Sequence, residues 1–251
     1  MSTSAAPEPV PLAGARRLRS DRARLVADAV RRQILRGDYD VLPDERVLSE
    51  EFGVSRNTMR EGLDLLRCEG IVERRQGVGT VVTARKYAHG LDRLLGLAET
   101  LNEHGTITNE VRSAGRVSPP KVVAQRLGID GRDDGVVYIE RLRRLNGLPL
   151  SLDLTYLPMD VGGPLLDEDL VNRDIFCLIE ETTGRGLGTA ELSLEAVNAD
   201  PHTAAVLDAP RGAALLLLER LTHFDDGRPV DLEFVRFRGD RLTMSARVSR
   251  S

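Results

Sequence analysis

Apolar residues recur at helical spacing in three segments near the start of the chain. From about Ser20 to Arg36, Leu25, Val26, Ala29, Val30 and Ile34 share one face, arginines fill the others, and Gly37 closes the run. Pro43 and Asp44 open a second predicted helix with Val47, Leu48 and Phe52 facing inward, and Gly53-Val54 breaks it. Ser55 stands at an N-cap position, and Arg56 to Cys68 forms a third helix whose Met59, Leu63 and Leu66 make one stripe. Two β-prone runs follow, Ile71 to Arg74 and Thr80 to Thr83, around the turn Arg75-Gln76-Gly77-Val78-Gly79.

Further along, the pattern becomes mixed helix and strand. Val136 to Leu145 and Leu148 to Leu157 are β-rich and joined by Asn146-Gly147, a strong hairpin signal. A second hairpin runs from Leu215 to Phe224, through Asp225-Asp226-Gly227-Arg228, into Pro229 to Arg238. Helices are predicted at Lys121 to Leu127, Ile175 to Thr182 and Pro201 to Leu207. The hairpins repeat one another: Glu140-Arg141-Leu142 before Asn146-Gly147-Leu148-Pro149 corresponds to Glu219-Arg220-Leu221 before Asp226-Gly227-Arg228-Pro229, with one extra residue in the second turn. Two copies are too few for a solenoid, so the repeat predicts a pseudo-twofold pair of hairpins in one antiparallel sheet. Alternation puts Leu148, Leu150, Leu152, Leu154 and Tyr156 on one face and Ser151, Asp153 and Thr155 on the other. By the same rule Arg141 and Arg143 share a face with Ile139, and Asp231, Glu233, Val235 and Phe237 share a side.

Composition narrows the class. A chain of 251 residues, 41% hydrophobic and 29% charged, has the balance of a globular protein of one or two domains. The longest apolar run, Ala213 to Leu218, is far short of a membrane span, and no basic start leads into an apolar block as a secretory leader would. The reading is therefore cytoplasmic. Cys68 and Cys177, without framework spacing, are expected to be reduced, buried thiols. The net charge of −4 hides a split: residues 16–86 carry 16 Lys or Arg against 12 Asp or Glu, and the remainder is acidic. A small basic module joined to a larger acidic one fits a first unit that meets a polyanion. The expected organisation is a disordered tail over 1–19, a first domain over 20–84, a linker over 85–92 and a second domain over 93–249.

Helix, helix, tight turn, helix and glycine-tipped hairpin is the order of a winged helix-turn-helix. Packing of the third helix through its stripe turns Arg56, Asn57 and Arg60 outward, where arginine can bond guanine bidentately and asparagine can read adenine in the major groove. Ser55, Thr58 and the helix N-terminus suit phosphate, and the wing glycines let backbone approach the sugar-phosphate surface. The stretch Leu42-Pro43-Asp44-Glu45-Arg46-Val47-Leu48-Ser49-Glu50-Glu51-Phe52-Gly53-Val54-Ser55-Arg56-Asn57-Thr58-Met59-Arg60-Glu61, continued by Arg74-Arg75-Gln76-Gly77-Val78-Gly79-Thr80, resembles the GntR family of bacterial transcriptional regulators. The resemblance implies DNA contacts at Arg46, Ser55, Arg56, Asn57, Thr58, Arg60, Gln76 and Gly77, with Gly79 beside them in the wing. Gly62 departs from the Ala the family prefers, at a helix cost of about 1 kcal/mol.

For the second domain, periodicity alone favours Arg141 and Arg143 in salt bridges with Asp153 or Glu140 on an exposed face. The alternative is a cleft for a small anionic or polyhydroxylated ligand. The pattern from Val136 through Pro158, and again from Leu215 through Arg241, resembles the effector-binding (UTRA-type) domain of the HutC subgroup, similar in fold to chorismate lyase. The implied class is α+β, an N-terminal winged helix-turn-helix followed by an antiparallel sheet with helices. The resemblance carries effector contacts to Arg141, Arg143, Asp153, Phe176, Asp231 and Phe237. Tyrosines of the pattern stand here as Phe176 and Phe237, which favours a less polar ligand. It also implies a homodimer on a palindromic operator, released by a small-molecule effector, in short a repressor. Two rival readings are a chorismate-lyase-like enzyme and a constitutive DNA-binding protein without effector. His89, His104, His202 and His223 lack metal-ligand spacing, and Gly77-Val78-Gly79-Thr80-Val81-Val82 misses the last glycine of a dinucleotide loop. No metal, cofactor or catalytic residue is expected.

Overall fold

The computed structural model describes residues 15–83, 86–101, 104–129 and 135–250, with side chains of the first helix from Ser20 onward. Residues 1–14 of the expected tail, and Ala84 and Arg85 around the expected start of the linker, lie outside the described residues. Residues 15–19, placed in the expected tail, instead belong to the first helix. The chain divides into two units, one ending at Arg85 and the other beginning at Lys86.

The first unit consists of α1 (Ala15–Arg36), β1 (Val41–Leu42), α2 (Glu45–Glu51), α3 (Arg56–Cys68), β2 (Val72–Arg75) and β3 (Gly79–Val82), with a sheet in the order β1-β3-β2. Val26, Ala27, Val30, Ile34, Leu48, Met59, Leu63 and Leu66 form its core with Leu42, Ile71 and Val72. Leu25 and Val47, expected inside, are exposed (69% and 41%). The buried stripe of α1 passes through Ala23, Val26, Ala27 and Val30, which turns Leu25 to solvent. Gly62 has a packing reason: a Cβ there would stand 3.0 Å from both the Ala23 carbonyl oxygen and Val26 Cγ1, so its absence lets α1 and α3 approach. Cys68 is exposed at the end of α3 and Cys177 is half-buried, so neither is the buried thiol expected.

The second unit runs β4 (Tyr87–Gly90), α4 (Leu97–Leu101), β5 (Ile107–Val117), α5 (Lys121–Arg126), β6 (Val136–Leu145), β7 (Leu148–Pro158), α6 (Met159–Leu165), α7 (Ile175–Thr183), β8 (Leu187–Asn198), α8 (Pro201–Val206), β9 (Ala214–Phe224), β10 (Pro229–Arg238) and β11 (Leu242–Ser245). Part of the expected linker is thus strand: β4 pairs in parallel with β11. The six-stranded sheet has the order β5-β6-β7-β10-β9-β8, antiparallel throughout. The two hairpins meet at β7 and β10, as the internal repeat predicts. Asn146 and Gly147 both take positive φ (53° and 78°), as a tight two-residue hairpin turn requires.

One face of the sheet packs on α6 and α7 through Ile139, Leu157, Leu165, Leu178 and Ile179. The opposite face packs on α8 through Leu142, Leu152, Ala204 and Leu207, and on α5 through Val123, Leu127, Leu221 and Leu232. Leu150 leaves its predicted face. A register shift pairs Arg143 with Ser151 but Arg144 with Pro149, and the extra residue swings Leu150 into the cluster of Leu145, Val235 and Phe237. The second hairpin carries its own shift between Pro229 and Asp231, at the position equivalent to Leu150. No helix among the described residues is long and apolar enough to cross a membrane.

Candidate functional sites

Two sites emerge, one in each unit. In the first, Ser55 caps α3: its Oγ accepts from the Thr58 amide at 3.2 Å. Because Met59, Leu63 and Leu66 are buried, Arg56, Asn57 and Arg60 project into solvent from the first turns of the helix. Thr58 does not join them. It is buried and its hydroxyl is hydrogen-bonded to Ser55 Oγ at 2.9 Å, so its expected phosphate contact has no geometric basis. Arg46 pairs with Glu50 (2.9 Å) and Arg60 with Glu45 (3.3 Å), both on the surface. Such exposed pairs are worth roughly 0–1 kcal/mol, so both guanidinium groups are cheaply available to an external phosphate or base. In the wing, Gln76, Gly77 and Gly79 are exposed, and Gly77 and Gly79 take positive φ (77° and 111°) that admits the tight reversal between β2 and β3.

The second site is a buried charged cluster between the sheet and the start of α7. Cross-strand register sets Arg141 opposite Asp153, Arg143 opposite Ser151, and Arg220 opposite Glu233. Thr155 of β7 stands opposite Glu233 of β10 across the seam between hairpins. Arg143 donates to Asp153 Oδ2 from Nε (3.1 Å) and Nη2 (3.0 Å), and Ser151 Oγ donates to Asp153 Oδ1 at 2.6 Å. Arg220 grips Glu233 Oε2 from Nε at 2.8 Å and from Nη2, and its guanidinium lies 4.2 Å above the Phe176 ring. Arg141 donates from Nη1 to the carbonyls of Leu170 (3.3 Å) and Arg173 (3.1 Å). The exposed salt bridges favoured by periodicity are therefore replaced by buried ones, and Arg141 pairs with neither Asp153 nor Glu140.

Of the expected effector residues, Arg141, Arg143, Asp153, Phe176 and Asp231 converge here. Phe237 is fully buried among Leu145, Leu150, Leu218 and Val235 and packs the core instead. Sequence reasoning did not name Arg220, Glu233 or Asp174 as site residues. The repeat held the signal for the first two, since Arg220 occupies the place of Arg141 and Glu233 that of Asp153.

Burial, reinforced by neighbouring Glu233, pushes the Asp231 carboxyl well above the usual carboxylate range. Neither of its oxygens has a hydrogen-bond partner, nor do Arg141 Nε and Arg143 Nη1. Burial opposes ionisation of Asp174, yet Arg143 and Arg141 hold its pKa below the ordinary value. His89, depressed to about 4 by burial and then by Arg220 and Arg143, is neutral at physiological pH. A cavity of about 240 Å³, lined by His89, Leu95, Thr189, Leu218 and Arg220 among others, opens beside the Arg220 side of the cluster.

A family model described as bacterial regulatory proteins, gntR family, matches residues 22–82, and a UTRA domain model matches residues 102–243. The HTH-type transcriptional repressor NagR of Bacillus subtilis is 28% identical over 222 residues, 87% of this chain and 90% of NagR. The mannosyl-D-glycerate transport/metabolism system repressor MngR of Escherichia coli is 32% identical over 162 residues, 63% of this chain and 67% of MngR. Among solved structures, PhnF of Mycobacterium smegmatis superposes with a TM-score of 0.66 at 25% identity, covering 90% of this chain and all of PhnF. These relatives are transcriptional regulators, which sets aside the enzyme reading. From the two domain matches and the folds that carry them, the chain belongs to the GntR family of transcriptional regulators, with a UTRA domain as its second unit.

Proposed function

We propose that this protein is a cytoplasmic repressor of the HutC subgroup that binds a palindromic operator as a homodimer and is released by a small-molecule effector. The observation that carries the reading is the capped α3 with Arg56, Asn57 and Arg60 exposed on its first turns, together with Arg46 near the start of α2 and a glycine-tipped wing. In this reading α3 enters the major groove, Arg56, Asn57 and Arg60 read base edges, and Arg46, Ser55, Gln76, Gly77 and Gly79 meet the backbone. Two-fold symmetry of the dimer makes the operator palindromic. Support for a second copy comes from β8, a twelve-residue strand at the edge of the sheet, on which Leu192 and Leu194 are both 42% exposed.

The effector site in this reading is the cluster of Arg141, Arg143, Asp153, Phe176 and Asp231, which adjoins, through Arg220, a cavity of about 240 Å³. Unpartnered buried polar atoms support it, because such atoms carry a desolvation cost that a ligand's hydrogen bonds relieve. Effector binding shifts operator affinity by the difference between its affinities for the two states, about 1–3 kcal/mol in typical systems. The test is a gel shift on genomic fragments selected by the protein. Arg56→Ala or Arg60→Ala should weaken operator binding by about 1–3 kcal/mol and relax sequence preference. Unaltered affinity in both variants would remove α3 as the reading element.

A further inference from the structure

Within the effector-binding reading, on which this step rests, we propose that the Asp174 carboxylate is a resident counter-ion filling the pocket's anion cradle. The effector is accordingly a small uncharged polyhydroxylated molecule, not a phosphate or a carboxylate.

The cradle is built from donors of the kind an external anion takes. Asp174 Oδ1 accepts from the Phe176 amide at 3.0 Å, Oδ2 accepts from the Ala98 amide at 3.3 Å, and Arg143 Nη1 stands 3.8 Å from Oδ2. Asp174 is the N-cap of α7, and Ala98 lies in the first turn of α4, so amides from two separate elements converge on one carboxylate. Residue 96 is fitted to the same group. A Cβ on Gly96 would come within 2.3 Å of Asp174 Oδ1, so a side chain there and the carboxylate in this place exclude each other.

The ion pairs around Arg143 point the same way. Arg143 is paired with Asp153 and faces Asp174 at 3.8 Å, and Arg220 is paired with Glu233, so the Asp174 carboxylate already stands where an external anion would meet Arg143. The unpartnered atoms define the chemistry instead. Arg141 Nε and Arg143 Nη1 are donors, the Asp231 carboxyl offers acceptors and, when protonated, a donor, and the Thr222 hydroxyl can be either. A fully ionised phosphate ester group only accepts, and would leave the acceptors of Asp231 unmet. An alcohol group both donates and accepts, so a ligand rich in hydroxyls satisfies the whole set. The adjoining cavity, about 240 Å³, limits it to a small molecule.

The experiment is calorimetric titration of the full chain with inorganic phosphate, using wild type, D174G and D174N. Asn is as good an N-cap as Asp, so D174N keeps α7 capped while removing the charge, and circular dichroism confirms folding of each variant. Wild type should show no phosphate binding up to about 10 mM, and the variants should gain roughly tenfold or more in phosphate affinity. Wild-type binding as tight as that of D174G, or no gain in any folded variant, overturns the resident counter-ion. The ligand class is read by operator release from wild type with paired neutral and phosphorylated monosaccharides. Release by a phosphorylated member in preference to its neutral partner overturns it. If the variants gain phosphate affinity but no sugar of either kind releases the operator, effector regulation at this site fails and the counter-ion assignment stands.

Discussion

Removing one partner of the Arg143–Asp153 pair should expose how strongly the second unit depends on its buried charges. Asp153 accepts two hydrogen bonds from Arg143 (3.1 and 3.0 Å) and one from Ser151 (2.6 Å), and both charged side chains are only 4% exposed. In Asp153→Ala, the Arg143 guanidinium stays charged and buried, with Asp174 at 3.8 Å as its remaining counter-ion. At an effective dielectric near 20, a pair about 3 Å apart attracts by roughly 5 kcal/mol, and partial compensation by Asp174 brings the expected loss to about 3–5 kcal/mol. Replacing both partners by apolar residues of similar size (R143M with D153L) removes the desolvation cost along with the attraction but leaves Asp174 with Arg141 as its neighbouring cation, so the double variant should lose less than Asp153→Ala alone. Urea unfolding followed by tyrosine fluorescence suits the measurement. The chain has no Trp, and of its four Tyr only Tyr39 lies in the first unit. A loss below about 1 kcal/mol for Asp153→Ala would mean that water reaches Arg143 and that the cluster is not the dry site described here.

Three further outcomes are checked by simpler measurements. Ser55→Ala removes the acceptor for the Thr58 amide and should destabilise the first unit by about 1 kcal/mol in thermal melts, with operator affinity falling as α3 frays at its reading end. Gly62→Ala should forgo the roughly 1 kcal/mol that alanine normally adds in a helix, because its Cβ meets the Ala23 carbonyl oxygen at 3.0 Å; a rise in melting temperature of several degrees would contradict this packing. Asp231 keeps its proton in the folded state at pH values where the unfolded chain has lost it, so its contribution to stability declines as pH rises from about 4 toward the elevated folded pKa. D231N should therefore gain on wild type by up to about 1.4 kcal/mol per pH unit across that window in urea titrations, and a pH-independent difference would refute the assignment.

The elements legible in the sequence were those with a buried face and a local stop signal. Asn146-Gly147 and Gly227 punctuate hairpins whose strands alternate, and Ser55 and Gly70 bracket an α3 with a clean stripe. The edge strand β8 gave no such signal. Ala190, Leu192, Leu194 and Ala196 alternate with polar residues, but Leu192 and Leu194 are themselves exposed, so the apolar face of this strand does not mark a buried one. Helix α6 contains Gly162, Gly163 and Pro164, an unfavourable helical sequence on propensity alone. Packing overrides it: a Cβ at Gly162 would lie 2.6 Å from Val137 Cβ and 2.8 Å from Leu157 Cβ, so the residue that weakens the helix is the one that lets it lie on the sheet. Pairing of β4 with β11 joins the two ends of the second unit, beyond the reach of any local pattern.

Burial of the arginines was the least legible feature, because an isolated arginine in an alternating strand is normally on the surface. What makes it tolerable is the repeat, which places a carboxylate opposite an arginine in each hairpin, Asp153 opposite Arg141 and Glu233 opposite Arg220. The copies then diverge. In the second, Arg220 takes the carboxylate directly opposite. In the first, Arg143, standing where the other copy has Thr222, takes Asp153 and frees Arg141 for backbone carbonyls. Each hairpin also carries its bulge at the same place, Leu150 and Val230, which keeps Ser151 and Asp231 on the charged face. A slip of one residue in either hairpin would carry the arginines to the face packed on α5 and α8, against Leu142, Leu152, Leu221 and Leu232, with no carboxylate to meet them. The charges that leave this pocket polar are thus the same ones that hold its strands in register.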